Sequence, residues 1–330
     1  MMPFTAPGLF APPTAALSIA NSFAATLWTG NSSIRTITSG IAADMEFIKA
    51  RNAAYDGAIF DKMRALAANR LFPDTTGQEA YQADSLTAFG ATGFDLGADT
   101  NAGVNGSGTT YMGWGFRRDP GFFDIQTWTG DGTTGRVILH SLGAVPGMIV
   151  VKSRNTPATV WRVFHRTIGT GGNGYINFND TTAAIIPDTG ATWGNGAAFT
   201  APTSTGFTVS SNGYVNGSGD TYVAYLFGHD TTSSGRVQCG TFTTDGAGNG
   251  TVTGLPSAPQ AALIRRTDST GETFMLDTAR GWAAGADKYV RWNDPGGEGT
   301  GTDLGAPTSD GFTFANISPS STYIYMAIRA

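Results

Sequence analysis

The strongest constraint on this chain is that it repeats itself. "VNGSGTTYMGWGF" begins at Val104, and "VNGSGDTYVAYLF" begins at Val215. A catalytic motif rarely needs two copies; a building block does, so repetition governs the reading. Ahead of Tyr111 stands "ATGFDLG", and ahead of Tyr222 stands "STGFTVS". A third version, "SDGFTFA", precedes "SPSSTYIYMAI", with its tyrosine at Tyr323. Phe94, Phe207 and Phe312 therefore correspond, as do Tyr111, Tyr222 and Tyr323. The front halves match too: "TLWTGNSSIRTI", "QTWTGDGTTGRVI" and "GTFTTDGAGNGTV", then "MEFIKARN", "GMIVVKSRN" and "AALIRRTDS". They continue with "AIFDKMR", "VWRVFHR" and "TFMLDTAR", and with "RLFPD", "YINFND" and "YVRWND". Blocks that recur in one order outweigh any single match. They divide the chain into an N-terminal arm, residues 1–23, and three β-domains, residues 24–117, 123–228 and 235–330. The linkers "RDPGFFD" and "GHDTTSSG" are too short to let neighbouring units drift far apart.

Each block has strand character. "TYVAYLF" and "TYIYMAI" are β-branched and aromatic runs of strand length. "VWRVFHR" alternates, with Trp161, Val163 and His165 on one face and Arg162, Phe164 and Arg166 on the other. "TGDGTTG" and "TTDGAGNGT" read as Asp-Gly hairpin turns, and Asn105-Gly106 and Asn216-Gly217 as turns before the last strand. Glycine supports this, since 46 of 330 residues is about double the usual share. Charged residues are 14% of the chain against about 25% in an average protein, too few for solvated helix faces. The expectation is an all-β chain: three tandem antiparallel β-sandwich, jelly-roll-like domains from an internal triplication, with an extended N-terminal arm. One stretch resists. "ADMEFIKARNAAYDGAIFDKMRALAANRLF" reads alone as an amphipathic helix, with Ile48, Ala54, Ile59 and Met63 loosely spaced for it. Alignment of "FIKARN" with "VVKSRN" favours strand over residues 44–72, because tertiary context overrides propensity.

Several function classes lose support. The net charge is −5 with no basic stripe, against nucleic-acid binding. One cysteine, Cys239, allows no intrachain disulfide and no sulfur-built zinc cluster. The N-terminus has neither a basic n-region nor an unbroken apolar run, so neither a signal peptide nor membrane insertion is expected. No nucleophile elbow, metalloprotease helix, P-loop or dinucleotide fingerprint occurs, and no enzyme or cofactor is expected. "GTGGNG" at Gly169 precedes no helix and reads as a flexible loop.

The chemistry-bearing candidates are few. His165 stands where Asp61 and Asp277 stand in the other copies, which favours a shared structural role over catalysis. Asp74, Asp180 and Asp294 each follow a strand-end aromatic and read as Asx-type turns; calcium is the sharper alternative, but it needs six to eight oxygens. The ligand-binding candidates are Tyr81, Trp193 and Trp282, loop aromatics able to stack on sugar faces or to cap the ends of the cores. A polysaccharide depolymerase would need a paired carboxylate site. Glu46, Glu79, Glu272 and Glu298 match no shared strand position.

The second copy, through "PGFFD", "GAVPGMIVVK" and "GDTYVAYLF", resembles a repeated domain of virion proteins of marine bacteriophages, of the tail-fibre or tail type. The likeness is clearest over residues 127–227. The first copy lacks the Val-Pro-Gly turn and the third lacks the Asn-Gly-Ser-Gly turn. The resemblance implies a virion component assembled in the host cytoplasm, a short tail fibre or tail-tip adhesin docked through its arm. Its partners would be other tail or baseplate proteins and a host surface glycan or protein. It also implies a homo-oligomer, with a trimer favoured, although three copies in one chain could themselves mimic a three-fold object. A head decoration or connector protein is the alternative.

Overall fold

The computed structural model describes residues 18–64 and 68–330. The architecture is all-β, and the strands among the described residues pair antiparallel. The helices among the described residues are Ile19–Ser22 and two three-residue turns. Residues 44–64 contain the strands Met45–Ala50 and Ala58–Asp61, paired as a hairpin, so the strand reading holds over the helical one. Neighbouring strands supply partners on both sides of Met45–Ala50, which an isolated helix could not match.

Three larger sheets share one strand order. In the first, Phe23–Thr29 lies beside Thr110–Phe116, then Met45–Ala50, then Ala58–Asp61. In the second the order is Phe123–Thr129, Thr221–Phe227, Met148–Ser153, Arg162–His165 and Ile176–Asn177. In the third it is Val237–Thr243, Thr322–Arg329, Pro259–Arg266, Thr273–Asp277, Asp287–Arg291 and Gly299–Thr302. Each is faced by a smaller sheet, built on Arg35–Thr38 and Gly93–Leu96, on Arg136–Leu139 and Gly206–Val209, or on Gly250–Val252 and Gly311–Phe314.

The expected hairpin turns are not hairpins. The strands on either side of "TGDGTTG", "TTDGAGNGT" and the Asn-Gly loops lie in different sheets, so these segments carry the chain between layers. Glycine serves there in another way. A Cβ on Gly30 would sit 2.2 Å from the Gly106 carbonyl oxygen, and one on Gly130 2.0 Å from that of Gly217. Asn105 and Asn216 clamp the same crossing: their side-chain amides donate to Ser33 and Gly97 carbonyls and to Thr133 carbonyl and Asp131, respectively. In the third segment Thr244 replaces the glycine, and its hydroxyl donates to Ser318 carbonyl and accepts from the Ser321 N–H.

Between the layers of each segment an aromatic trio recurs. Trp28, Trp128 and Phe242 stack on Tyr111, Tyr222 and Tyr323, with centroids 5.6, 5.3 and 5.4 Å apart. They meet Phe94, Phe207 and Phe312 edge-on at 5.6, 5.9 and 6.0 Å. This accounts for the aromatics that the repeat alignment matches.

The opposite faces of all three larger sheets meet. Phe47, Trp114 and Phe116 pack in one cluster with Val150, Tyr225 and Phe227, and with Leu263, Met275 and Met326. The cluster closes on a void of about 10 Å³ whose apolar lining offers water no hydrogen-bond partner. The three larger sheets therefore share a core, and each is buried on both faces. The arm was drawn at residues 1–23. Residues 1–17 lie outside the described residues, but Ile19 packs on the shared core and Phe23 is part of it.

Candidate functional site

Strand register gives the body two distinct ends. Phe23, Phe116, Met45 and Asp61 share one end with their counterparts, and both Ser18 and Ala330 lie there. Thr29, Thr110 and Ala50 share the other with the crossing loops.

At the terminal end, three matching side chains link the segments in a ring. Asp61 accepts from the Tyr225 hydroxyl at 2.7 Å, and Asp277 from Trp114 Nε1 at 2.8 Å. The strand position of Trp114 and Tyr225 is taken in the third segment by Met326, which has no donor. There the second segment carries His165 instead of aspartate, and its Nε2 donates to the Tyr325 carbonyl at 3.1 Å. Burial depresses the His165 pKa to about 3, so the ring is neutral. Asp61 and Asp277 also hold Arg64 and Arg280 in buried ion pairs at 2.5 and 2.7 Å. His165 is thus a joint between segments.

At the loop end the same order repeats. The carbonyls of Arg51, Arg154 and Thr267 accept N–H bonds from Glu298, Glu79 and Ala184 at 2.6, 2.8 and 2.9 Å. Arg51 and Arg154 grip Glu298 and Glu79 with two hydrogen bonds each. Glu79 and Glu298 therefore do occupy matching positions, in loops rather than strands. Spacings from Asp74 and Asp294 that differ by one residue hid the match. Three buried cations, Lys49, Lys152 and Arg265, hold one strand position; Lys152 donates to Thr76 carbonyl and Arg265 to Thr182 carbonyl, each in the preceding segment.

The three aromatic candidates are not brought together. Trp193 and Trp282 are each only 1% exposed, in the separate cores of the second and third segments. Neither presents a ring face to a ligand. Asp188 gathers the N–H groups of Thr192 and Trp193 and turns that loop inward, and Trp282 packs edge-on to Phe312 at 5.7 Å. The apolar area of an indole outweighs its place on a loop. Tyr81 is 61% exposed on the short strand Ala80–Tyr81. Asp180 and Asp294 form Asx turns, accepting from the N–H groups of Thr182 and Gly296. Asp74 accepts from the Gly57 N–H, and burial lifts its pKa to about 7. Among the described residues no cluster of three or more His, Cys, Asp or Glu side chains is placed to hold a metal.

A cleft in the third segment was missed by the sequence reading. It lies at the loop end of the third segment, has a volume of about 330 Å³, and is lined by Arg266, Glu272, Phe274, Tyr289, Arg291 and Ser318 among others. Tyr289 meets Phe274 edge-on at 5.5 Å, and the Arg291 guanidinium lies 5.5 Å from its ring centre. Gly299 makes room for that ring, since a Cβ there would fall 2.3 Å from it. Arg266 and Arg291 are paired with Asp268 and Asp294 at 2.7 and 2.8 Å. Asn293 donates to Glu272 Oε2 at 2.7 Å.

The second segment fills the matching place. By strand register Arg162 and Tyr175 correspond to Phe274 and Tyr289. The Arg162 guanidinium is sandwiched between Tyr175 and Tyr214, 3.8 and 4.5 Å from the ring centres. Tyr214 comes from the crossing loop, which spans residues 210–220 in the second segment but only 315–321 in the third. The short loop leaves the third site open. A second groove, about 500 Å³, lies at the terminal end between Ser18, Pro120, Arg236 and Ala330.

No helix among the described residues is long and apolar enough to cross a membrane. Comparison with curated proteins finds no match. One family model, a domain of unknown function designated DUF7483, matches residues 19–329 in a single span that runs from the short helix through the last strand of the third sheet. The chain belongs to the DUF7483 family.

Proposed function

We propose that this chain is a non-enzymatic structural protein of a bacteriophage virion, a short tail fibre or tail-tip adhesin built by triplication of a jelly-roll-like β-sandwich unit. One observation carries the reading: a single chain closes three like sheets around a common core, with both described ends of the chain at one end and the loops and open cleft at the other. That polarity suits a body anchored to a particle through residues 1–17 and presenting loops to a host surface. The resemblance of the second segment to phage tail-type proteins points the same way. Of the four glutamates, Glu79 and Glu298 are tied to arginines and Glu46 is sealed in the interior, which leaves Glu272 at the cleft.

Removing residues 1–17 tests the reading. The truncated protein should fold, because Ile19 and Phe23 remain, yet fail to enter particles; normal incorporation would overturn it. The shared core makes a compact knob rather than an extended shaft, which also fits a head decoration or connector protein. Copy number in purified virions separates the two, with few copies expected for a tail-tip protein.

A further inference from the structure

We propose that the cleft of the third segment is a binding site for a neutral saccharide of one or two sugar units. The proposal deepens the attachment reading and rests on it for its biological setting.

The volume of about 330 Å³ falls at the lower end of the range for small-molecule sites, about 300–1,000 Å³, which fits a ligand of one or two rings. Tyr289 and Phe274 supply aromatic surface for the apolar face of a sugar ring. Around them stand planar side chains of both signs, Glu272 and Arg291, with the hydroxyl-bearing Ser318 and Thr302. Carboxylate and guanidinium groups can each engage adjacent hydroxyls through two hydrogen bonds. Glu272 has capacity to spare, since Asn293 occupies only its Oε2.

The charge balance argues against an anion. Arg266 and Arg291 already face Asp268 and Asp294, so neither brings an uncompensated charge to the cleft. The second segment offers the internal contrast. There Arg162 fills the space between Tyr175 and Tyr214, so one chain carries an occupied and a vacant version of the same tyrosine-lined place. The vacancy follows from the short crossing loop at residues 315–321 and from Phe274 in place of Arg162.

The test is saturation-transfer NMR on the purified full chain. The probes are glucose, galactose, N-acetylglucosamine and their common disaccharides, with glucuronate and inorganic phosphate as anionic probes. At least one neutral sugar should bind in the millimolar range. Tyr289→Ala and Glu272→Gln should each weaken it about ten-fold or more, while Leu139→Ala, at an exposed apolar residue of the second segment, should change nothing. If Tyr289→Ala fails to fold, Glu272→Gln at the partly exposed wall carries the test. The proposal is overturned if no neutral sugar binds, if only the anionic probes bind, or if binding survives Glu272→Gln. Such a failure leaves the virion reading intact, since particle incorporation is measured separately.

Discussion

Glu46 is the residue whose position runs most against its chemistry. It is fully buried, and neither carboxylate oxygen has a hydrogen-bond partner. Ile149 and Ala262 hold the matching strand position. The side chain fits because Gly115 lies opposite and Gly113 two residues before it, so that a Cβ on Gly115 would fall 2.6 Å from Oε1. Burial raises its pKa well above the usual carboxylate range, with no charged neighbour contributing. The folded state therefore holds a proton that the unfolded state releases above pH 4.5, and Glu46 makes stability fall as pH rises from there toward its folded pKa. His165 acts in the opposite sense. Its folded pKa of about 3 lies below the ordinary 6.5, so stability is lost as pH falls below 6.5. Urea midpoints across pH 4–8 for the wild type and Glu46→Gln isolate the first effect: the difference between them should widen in favour of the variant as pH rises. Glu46→Met should stabilise the protein by about 1–3 kcal/mol at neutral pH, because it removes an unsatisfied polar group. A loss of stability in Glu46→Met would count against the burial argument.

At the scale of the element, the repeated Asn-Gly-Ser-Gly stretch works as a latch between layers. The close approach of Gly130 to the Gly217 carbonyl predicts that Gly130→Ala costs about 2–3 kcal/mol. Gly213→Ala, where an added Cβ meets nothing within 4 Å, should be close to neutral. Chemical denaturation of the two variants side by side checks this, and equal losses would show that the contact does not matter. The ring at the terminal end gives a second prediction. Asp61→Ala would leave Arg64, whose side chain is fully buried, without its nearest carboxylate, at a cost of about 3–5 kcal/mol. Tyr225→Phe removes only one donor to Asp61 and should cost about 1 kcal/mol. Strands and their succession along the chain were legible in the repeat alignment, including the strand over Met45–Ala50 that local propensity disputes. The joints were not. Asp61, His165 and Asp277 align as polar residues, but the partners that explain them, the Tyr225 hydroxyl, the Tyr325 carbonyl and the Trp114 indole, come from neighbouring segments.

For the whole molecule, the shared core decides how the chain behaves. Phe116, Phe123 and Phe227 touch one another with ring centres 5.1–5.4 Å apart, although the first belongs to the first segment and the others to the second. A segment cut free would expose one full face of its larger sheet. Calorimetry should therefore show one cooperative transition, with van't Hoff and calorimetric enthalpies equal. Three separate transitions would mean that the segments are independent domains. Because three like faces already meet inside one chain, light scattering should give a monomer of 34.3 kDa rather than the trimer that the tail-fibre resemblance suggests.

The sequence by itself determined the all-β character and the succession of strand-bearing blocks along the chain, because these are written in local periodicity and repetition. Continuous apolar runs such as "TYVAYLF" also carried a signal, now interpretable, of strands buried on both faces. Only the tertiary structure decided what those faces meet, that Trp193 and Trp282 turn inward, and that one of the matching tyrosine-lined places stays open. Each of these depends on side chains brought together from distant segments and on the lengths of the loops between them, and neither can be read from one block alone.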